Sequence, residues 1–404
     1  MTDFIDQNFP REVEFLKSLV RVPSDNPPGD CAHHAEVAAK ELEQLGFVVE
    51  RHRVPDAVVK KHGMTSATNL VIRETFGSGK GPVIALNAHG DVVPPGEGWT
   101  HDPYGAEEKG GAIYGRGAAV SKSDFATYAF AVLALKDRSE GLDGTLELHL
   151  TYDEEIGGYT GPKWLLDEKI TKPDYAISAG FSYAVVTAHN GVLHLEITVR
   201  GKQAHAAMPE TGADALEAAN AILTALYAER KRIARKKSKT PGIGSAKITV
   251  GVISGGFATN VVPDRVVMRL DRRLIPEENG KAVEKTLTKL IRKVGARKGI
   301  KIEIARVILA EPLKPRKGVE RLVTILQRHA RKELRVAIKP TGVPLYTDAR
   351  HYSAEGIPTV LYGAGPRSII EARGHNTDEH VKLSDLKAAT KIVAAALRDL
   401  LKAD

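Results

Sequence analysis

Cysteine is almost missing from this chain. With Cys31 alone, no internal disulfide can form and no thiolate cluster can hold a metal. Aromatic residues make up only 5%, and no apolar run is long enough to span a bilayer. The first 21 residues carry Asp3, Asp6, Glu12 and Glu14 and lack the basic cap, apolar stretch and small-residue cleavage site of an export signal. The expected location is therefore the cytoplasm. A phosphate-cradling glycine loop is also lacking, because Ser254-Gly255-Gly256 is not followed by Lys-Ser or Lys-Thr. What remains is the balance of an ordinary enzyme. The 404 residues, 42% hydrophobic and 27% charged, are enough for one large domain and a smaller one.

The formal charge of +8 raises the question of nucleic acid, since Arg230 to Lys239 is a basic run. It contains no interleaved aromatics and continues a helical pattern into Pro241-Gly242, which is how a solvated helix end complements its dipole. Neither a nucleic acid nor a membrane is expected as a partner. A positive field can still draw in acidic substrates.

The early chain alternates helix and strand. Pro10 to Val20 and His33 to Leu45 read as amphipathic helices, the second stopped by Gly46 and followed by a strand-like Phe47 to Arg51. Val83 to Asn87, Leu146 to Thr151 and Tyr175 to Ser178 have the pattern of strands in a covered sheet. From about Gly191 the order becomes β-α-β-β-α-β, the size and sequence of a ferredoxin-like unit. The expected fold is α/β: a mixed sheet covered by helices on both faces, with an inserted ferredoxin-like domain. The expected boundaries are 1–190 and 310–404 for the catalytic domain and 191–309 for the insertion, the chain closing with a helix from Leu383 to Leu401.

Polar residues with metal or proton-transfer chemistry sit just past the strand-like runs: His89-Gly90-Asp91, then Asp153-Glu154-Glu155, with Thr347-Asp348-Ala349-Arg350 and His375 later. That is the carboxyl edge of a sheet, where such folds bind ligands. Neutral imidazoles and carboxylates are the ligands a divalent metal uses in hydrolysis, and an ionised carboxylate is needed to take a proton from water. Neighbouring Glu154 and Glu155 point different ways, so one can bind metal while the other faces substrate. Taken singly, His89 would read as an interior histidine, Glu154 and Glu155 as a charged loop, and Arg350 as a surface cation; the set favours the site.

In order along the chain, His89-Gly90-Asp91-Val92-Val93-Pro94, Gly115-Arg116-Gly117, Asp153-Glu154-Glu155-Ile156-Gly157, Gly201-Lys202-Gln203-Ala204-His205, Asn260-Val261-Val262-Pro263-Asp264, Thr347-Asp348-Ala349-Arg350 and Gly374-His375 are present. This series resembles, over essentially the whole length, the metallopeptidase and deacylase family of glutamate carboxypeptidases, aminoacylases, acetylornithine deacetylase and succinyl-diaminopimelate desuccinylase. The resemblance implies metal ligands His89, Glu155 and His375, Glu154 as general base, and Asp91 orienting the metal-bound histidine. It further implies Arg350 pairing with a substrate carboxylate, His205 and Asn260 holding substrate from the inserted domain, and a homodimer or higher homo-oligomer.

Two positions depart from that pattern. The carboxylate that bridges two metals in the family falls on Val120, and the one beside the first histidine falls on Gly180. Neither side chain can ligate, so a single divalent ion (Mn²⁺, Zn²⁺ or Co²⁺) is expected and a second is doubtful. Asp124, four residues after Val120, is a substitute if a helix starts there, although an acidic residue in a first turn usually only complements the dipole. Ser121 and Ser178 are further guesses as substrate contacts. The expected activity is metal-dependent hydrolysis of a C–N bond in a small carboxylate-bearing molecule, an N-acyl amino acid or dipeptide. Deamination of an amino-aromatic carboxylate is the alternative, and a non-catalytic binding relative is a third reading, disfavoured by the presence of Glu154.

Overall fold

The computed structural model describes residues 1–403, with only the backbone of Ile369. The chain divides into two compact units. Unit 1 comprises Met1–Thr187, Pro315–Thr341 and the residues from Thr347 onward, while unit 2 comprises Ala188–Lys314 with Gly342–Tyr346.

In unit 1 the strands Glu50–Arg53, Thr68–Phe76, Gly144–Thr151, Val83–His89, Tyr175–Ser178 and Thr359–Leu361 lie side by side in that order. The central three, Gly144–Thr151, Val83–His89 and Tyr175–Ser178, pair in parallel, whereas Thr68–Phe76 is antiparallel to Gly144–Thr151. Side-chain alternation assigns the two faces. Ile84, Leu86, Leu146, Leu148 and Leu150 enter the large core with the helices Thr2–Val20, Ala32–Gln44, Lys122–Lys136, Val319–Leu334 and Leu383–Leu400. Ala85 and Ala176 face the other way, onto Tyr352 of the short helix Ala349–Ala354 and onto Ile357. Helix Lys122–Lys136 is apolar on nearly every side because it is enclosed.

Pro10 does not start the first helix. The helix runs from Thr2 through Pro10 to Val20, since Ile5 and Phe4 already belong to the apolar stripe that packs on the core. Proline removes one hydrogen bond there, and burial of the flanking stripe holds the helix. The first strand likewise lies later than expected, at Glu50–Arg53.

Unit 2 has the β-α-β-β-α-β order: Gly191–Arg200, helix Ala215–Ala234, Lys247–Gly255, Arg265–Leu274, helix Gly280–Gly295 and Lys301–Ala310. Its sheet is antiparallel, in the order Lys247–Gly255, Arg265–Leu274, Gly191–Arg200, Lys301–Ala310. Leu193, Leu195, Ile197 and Val199 alternate onto the core formed with Ile222, Leu226, Leu287 and Ile291 of the two helices. Asp214 and Asn279 cap those helices by accepting from the first free backbone N–H groups. The basic run leaves the helix at Ala234, and its side chains are mostly exposed. No described helix is long and apolar enough to cross a membrane.

Candidate metal and proton-transfer site

Parallel strand Val83–His89 ends on His89, and its neighbour Gly144–Thr151 runs out into the turn Glu154–Ile156, so the two strand ends present their polar residues together. His89, Glu154 and Glu155 each offer a ligand atom, and these atoms lie within 4.8 Å of one another. His375, at φ 62°, places Nε2 3.2 Å from Glu155 Oε1. These four residues, 286 positions apart at the extremes, share one end of the unit 1 sheet.

Asp91 organises the cluster. His89 Nδ1 lies 3.0 Å from the Asp91 carbonyl and 3.4 Å from its Oδ1. With Nδ1 engaged as a donor, Nε2 is left as the metal-facing nitrogen, 4.0 Å from Glu154 Oε2. The Asp91 carboxylate also accepts from the backbone N–H groups of Glu154 and Glu155, both at 3.2 Å, and from Asn26 Nδ2 at 3.0 Å. One buried carboxylate thus fixes both the imidazole and the acidic turn.

Negative charge is in excess here. Burial pushes the Glu154 carboxyl up to about 8, His89 and His375 opposing and Glu155 and Asp91 adding to the effect. Burial, then Asp91, pushes Asp153 up to about 7. Asp348 is also raised, by burial and then by Glu154 and Asp153. Burial disfavours a charged His89, but Asp91, Glu154 and Glu155 outweigh it and raise its pKa. Carboxylates crowded around an imidazole in a dehydrated place form a donor set that a divalent cation satisfies, so the residues present fit such an ion.

The missing ligands have structural counterparts. Val120 donates its backbone N–H to Glu379 Oε1, as does Ala119, and Glu379 makes a buried ion pair with Arg116 at 2.7 Å. Gly180 has no room for any side chain, because a Cβ there would lie 2.7 Å from Leu361 Cβ and 2.7 Å from the Tyr362 nitrogen. The Asp124 carboxylate is buried and accepts from the N–H of Ala364 at 2.9 Å and from Gly180. It lies outside the His89, Glu154 and Glu155 group. Ser121 brackets the backbone of His89, its hydroxyl accepting from the N–H and donating to the carbonyl, and Ser178 bonds to Asn87; both are buried.

Arg350 projects from the short helix Ala349–Ala354. It is 7% exposed and donates through Nη2 to the Gly157 carbonyl, beneath which Gly157 N–H donates to Glu154 O at 3.0 Å. Its guanidinium lies 5.4 Å from the Tyr159 ring. Among the described residues it has no ion-pair partner, and its buried Nε makes no hydrogen bond. His205 and Asn260 lie in unit 2, both exposed, on neighbouring backbones where His205 bridges Val261 and Ala206 N–H donates to Asn260 O. A cavity of about 680 Å³ also lies in unit 2, where Asp271 pairs with His194 and with Arg273, both at 3.0 Å. None of the expected site residues lines it.

Asp348 received no role from the sequence, although its motif was noted. Buried beside Thr151 at 3.5 Å and coupled to Glu154 by charge, it belongs to the cluster. The signal available was its place two residues before Arg350.

A covered mixed sheet whose strand ends gather an imidazole, several carboxylates and an unpaired guanidinium defines a metal-dependent hydrolase. Residues 85–399 match the model of Peptidase family M20/M25/M40. The chain belongs to that family, whose members use divalent metal, and it is a hydrolase acting on C–N bonds. It is 30% identical to acetylornithine deacetylase of Myxococcus xanthus over 372 residues, covering 90% of each chain. To aminoacylase-1A of Rattus norvegicus it is 28% identical over 403 residues, covering 95% of this chain and 94% of the other. The fold is shared with an M20 family metallo-carboxypeptidase of Sulfolobus solfataricus, at a TM-score of 0.76 and 19% identity over 97% and 98% of the two chains. Human carnosine dipeptidase 1 shares it at a TM-score of 0.74 and 18% identity, over 100% and 98%.

Proposed function

We propose that this protein hydrolyses the amide bond of a small substrate bearing a free carboxylate, an N-acyl amino acid or a dipeptide, with one divalent ion per chain. The observation that carries the reading is Arg350: a buried guanidinium with no anionic partner and an orphan Nε, tied through Gly157 to the turn that bears Glu154. A buried cation without a counter-charge is costly, and a substrate carboxylate gripped by the planar fork offsets that cost. The names of the acetylornithine deacetylase and aminoacylase relatives agree with such a substrate.

His89, Glu155 and His375 would hold the ion, with Asp91 keeping His89 Nε2 outward. A bound divalent ion supplies Lewis acidity and lowers the pKa of water. Glu154 takes the proton from the attacking water and returns it to the leaving nitrogen, for which its pKa, raised first by burial, suits it. Arg350 fixes the carboxylate so that the scissile carbonyl is presented to that water. His205 and Asn260 are assigned to substrate binding, in a homodimer or higher assembly, and the enzyme to the cytoplasm. The absence of side-chain ligands at Val120 and Gly180 supports one ion rather than two.

The test is a panel of N-acetyl amino acids, dipeptides and aminobenzoates assayed with Mn²⁺, Co²⁺ or Zn²⁺. Release of acetate or of a free amino acid supports the proposal. Ammonia from an aminobenzoate alone would replace it with deamination, and no turnover of any member would leave a binding protein.

A further inference from the structure

The face of strand Gly144–Thr151 that looks away from the large core is polar where a covered sheet should be apolar. Glu147, His149 and Thr151, alternate residues on that face, are all buried. Each has a specific partner. Glu147 accepts from Arg73 Nε at 2.9 Å and from the Thr171 hydroxyl. His149 Nε2 lies 3.0 Å from Glu147 Oε2, and His149 Nδ1 lies 2.8 Å from the Tyr352 hydroxyl, the two rings stacked at 14°. Thr151 reaches Asp348 at 3.5 Å.

Tyr352 and Asp348 belong to the segment that carries Arg350. Helix Ala349–Ala354 has six residues, too few to hold a position by its own hydrogen bonds. Its upper end is tied at Gly157, whose carbonyl accepts from Arg350 and lies 2.9 Å from His351 Nε2. Its lower end is tied through Tyr352, packed on Ala85, Ala176 and Ile357 and bonded to His149, and through Ser353, whose carbonyl accepts from Arg316 Nε at 2.6 Å. Burying an imidazole and a carboxylate in a central strand costs free energy unless every polar atom is satisfied. Here they are satisfied in one chain leading to the helix under the guanidinium.

We infer that Glu147, His149 and Tyr352 form a positioning relay that sets the Arg350 guanidinium for the substrate carboxylate, which rests on the carboxylate-clamp reading above. Glu147, acceptor only when ionised, accepts a hydrogen bond from His149 Nε2–H, and His149 in that tautomer accepts from the Tyr352 hydroxyl at Nδ1. Burial opposes ionisation of Glu147, but its bonds to His149, Thr171 and Arg73 hold its carboxyl below the usual carboxylate range, so the acceptor role persists at neutral pH. None of the three touches substrate.

The experiment compares kcat and KM for an N-acetyl amino acid and for its carboxamide on the Mn²⁺-loaded enzyme. Tyr352→Phe keeps the ring and its packing, and His149→Gln keeps one donor and one acceptor. Tyr352→Phe and His149→Leu should lower the preference for the acid over the amide about tenfold, mostly through KM, short of the roughly 10²-fold that a full ångström of misplacement costs. His149→Gln should recover most of it. Equal losses on acid and amide, or an unchanged preference in Tyr352→Phe, overturn the relay. Arg350→Met is run alongside. If it abolishes the preference while Tyr352→Phe does not, the relay alone fails; if it preserves the preference, the clamp reading fails and takes the relay with it.

Discussion

Glu12 offers a stability test that does not depend on the site. It sits on helix Thr2–Val20 with no exposed surface, accepts from the Thr390 hydroxyl at 2.5 Å through Oε1, and leaves Oε2 without a partner. Burial pushes its pKa from 4.5 up to about 8, with Thr390 and Lys387 opposing weakly. Between those two values the folded protein binds a proton that the unfolded chain has released, so stability falls as pH rises from 4.5 to 8 and levels off above. The full cost is about 5 kcal/mol at the shift given, an upper figure for a group whose surroundings can relax. Glu12→Gln removes the titration while keeping the shape. Urea unfolding of both proteins at pH 5, 7 and 9 should show the variant near the parent at pH 5 and more stable by about 3–5 kcal/mol at pH 9. A difference that stays constant with pH would refute the argument, whatever its sign, because only an ionisation confined to Glu12 makes it grow.

Glu154→Gln should lower kcat by about 10²–10⁴-fold while elemental analysis still finds the metal, since a proton carrier is lost and the named ligands remain. Chelation should abolish activity, and Mn²⁺, Co²⁺ or Zn²⁺ should restore it at about one ion per chain; activity that survives chelation contradicts the metal role. Arg116→Met strands buried Glu379 without its cation and should cost about 3–5 kcal/mol in urea or thermal unfolding. Gly180→Ala should cost about 1–3 kcal/mol in the same assay, through the overlap with Leu361 and Tyr362.

The parts of the site that strands deliver were legible from local pattern. An apolar run followed by His89 or by Asp153 to Glu155 marks the end of a covered strand, and parallel neighbours necessarily end on the same side. Less was legible where partners are remote. Leu146 to Thr151 reads as one alternating strand, but nothing local says that His149 meets Tyr352, 203 positions on, rather than solvent. Apart from its place before Arg350, Asp348 carries no local signal of a role, because its burial against Thr151 depends on the folded sheet. Pro10 is a poor marker of the first helix's start, because packing of the preceding turns carries the helix back to Thr2. Ser121 and Ser178 are engaged within the fold for a related reason: a hydroxyl next to a strand end most readily satisfies nearby backbone or amide groups.

The crowding at Gly180 bears on what that position can hold. A glutamate or aspartate there would drive a Cβ into Leu361 and into the Tyr362 main chain before its carboxylate reached any cation. Any side chain at position 180 therefore requires the neighbouring strand to give way first, so backbone geometry, and not side-chain chemistry, fixes what stands there.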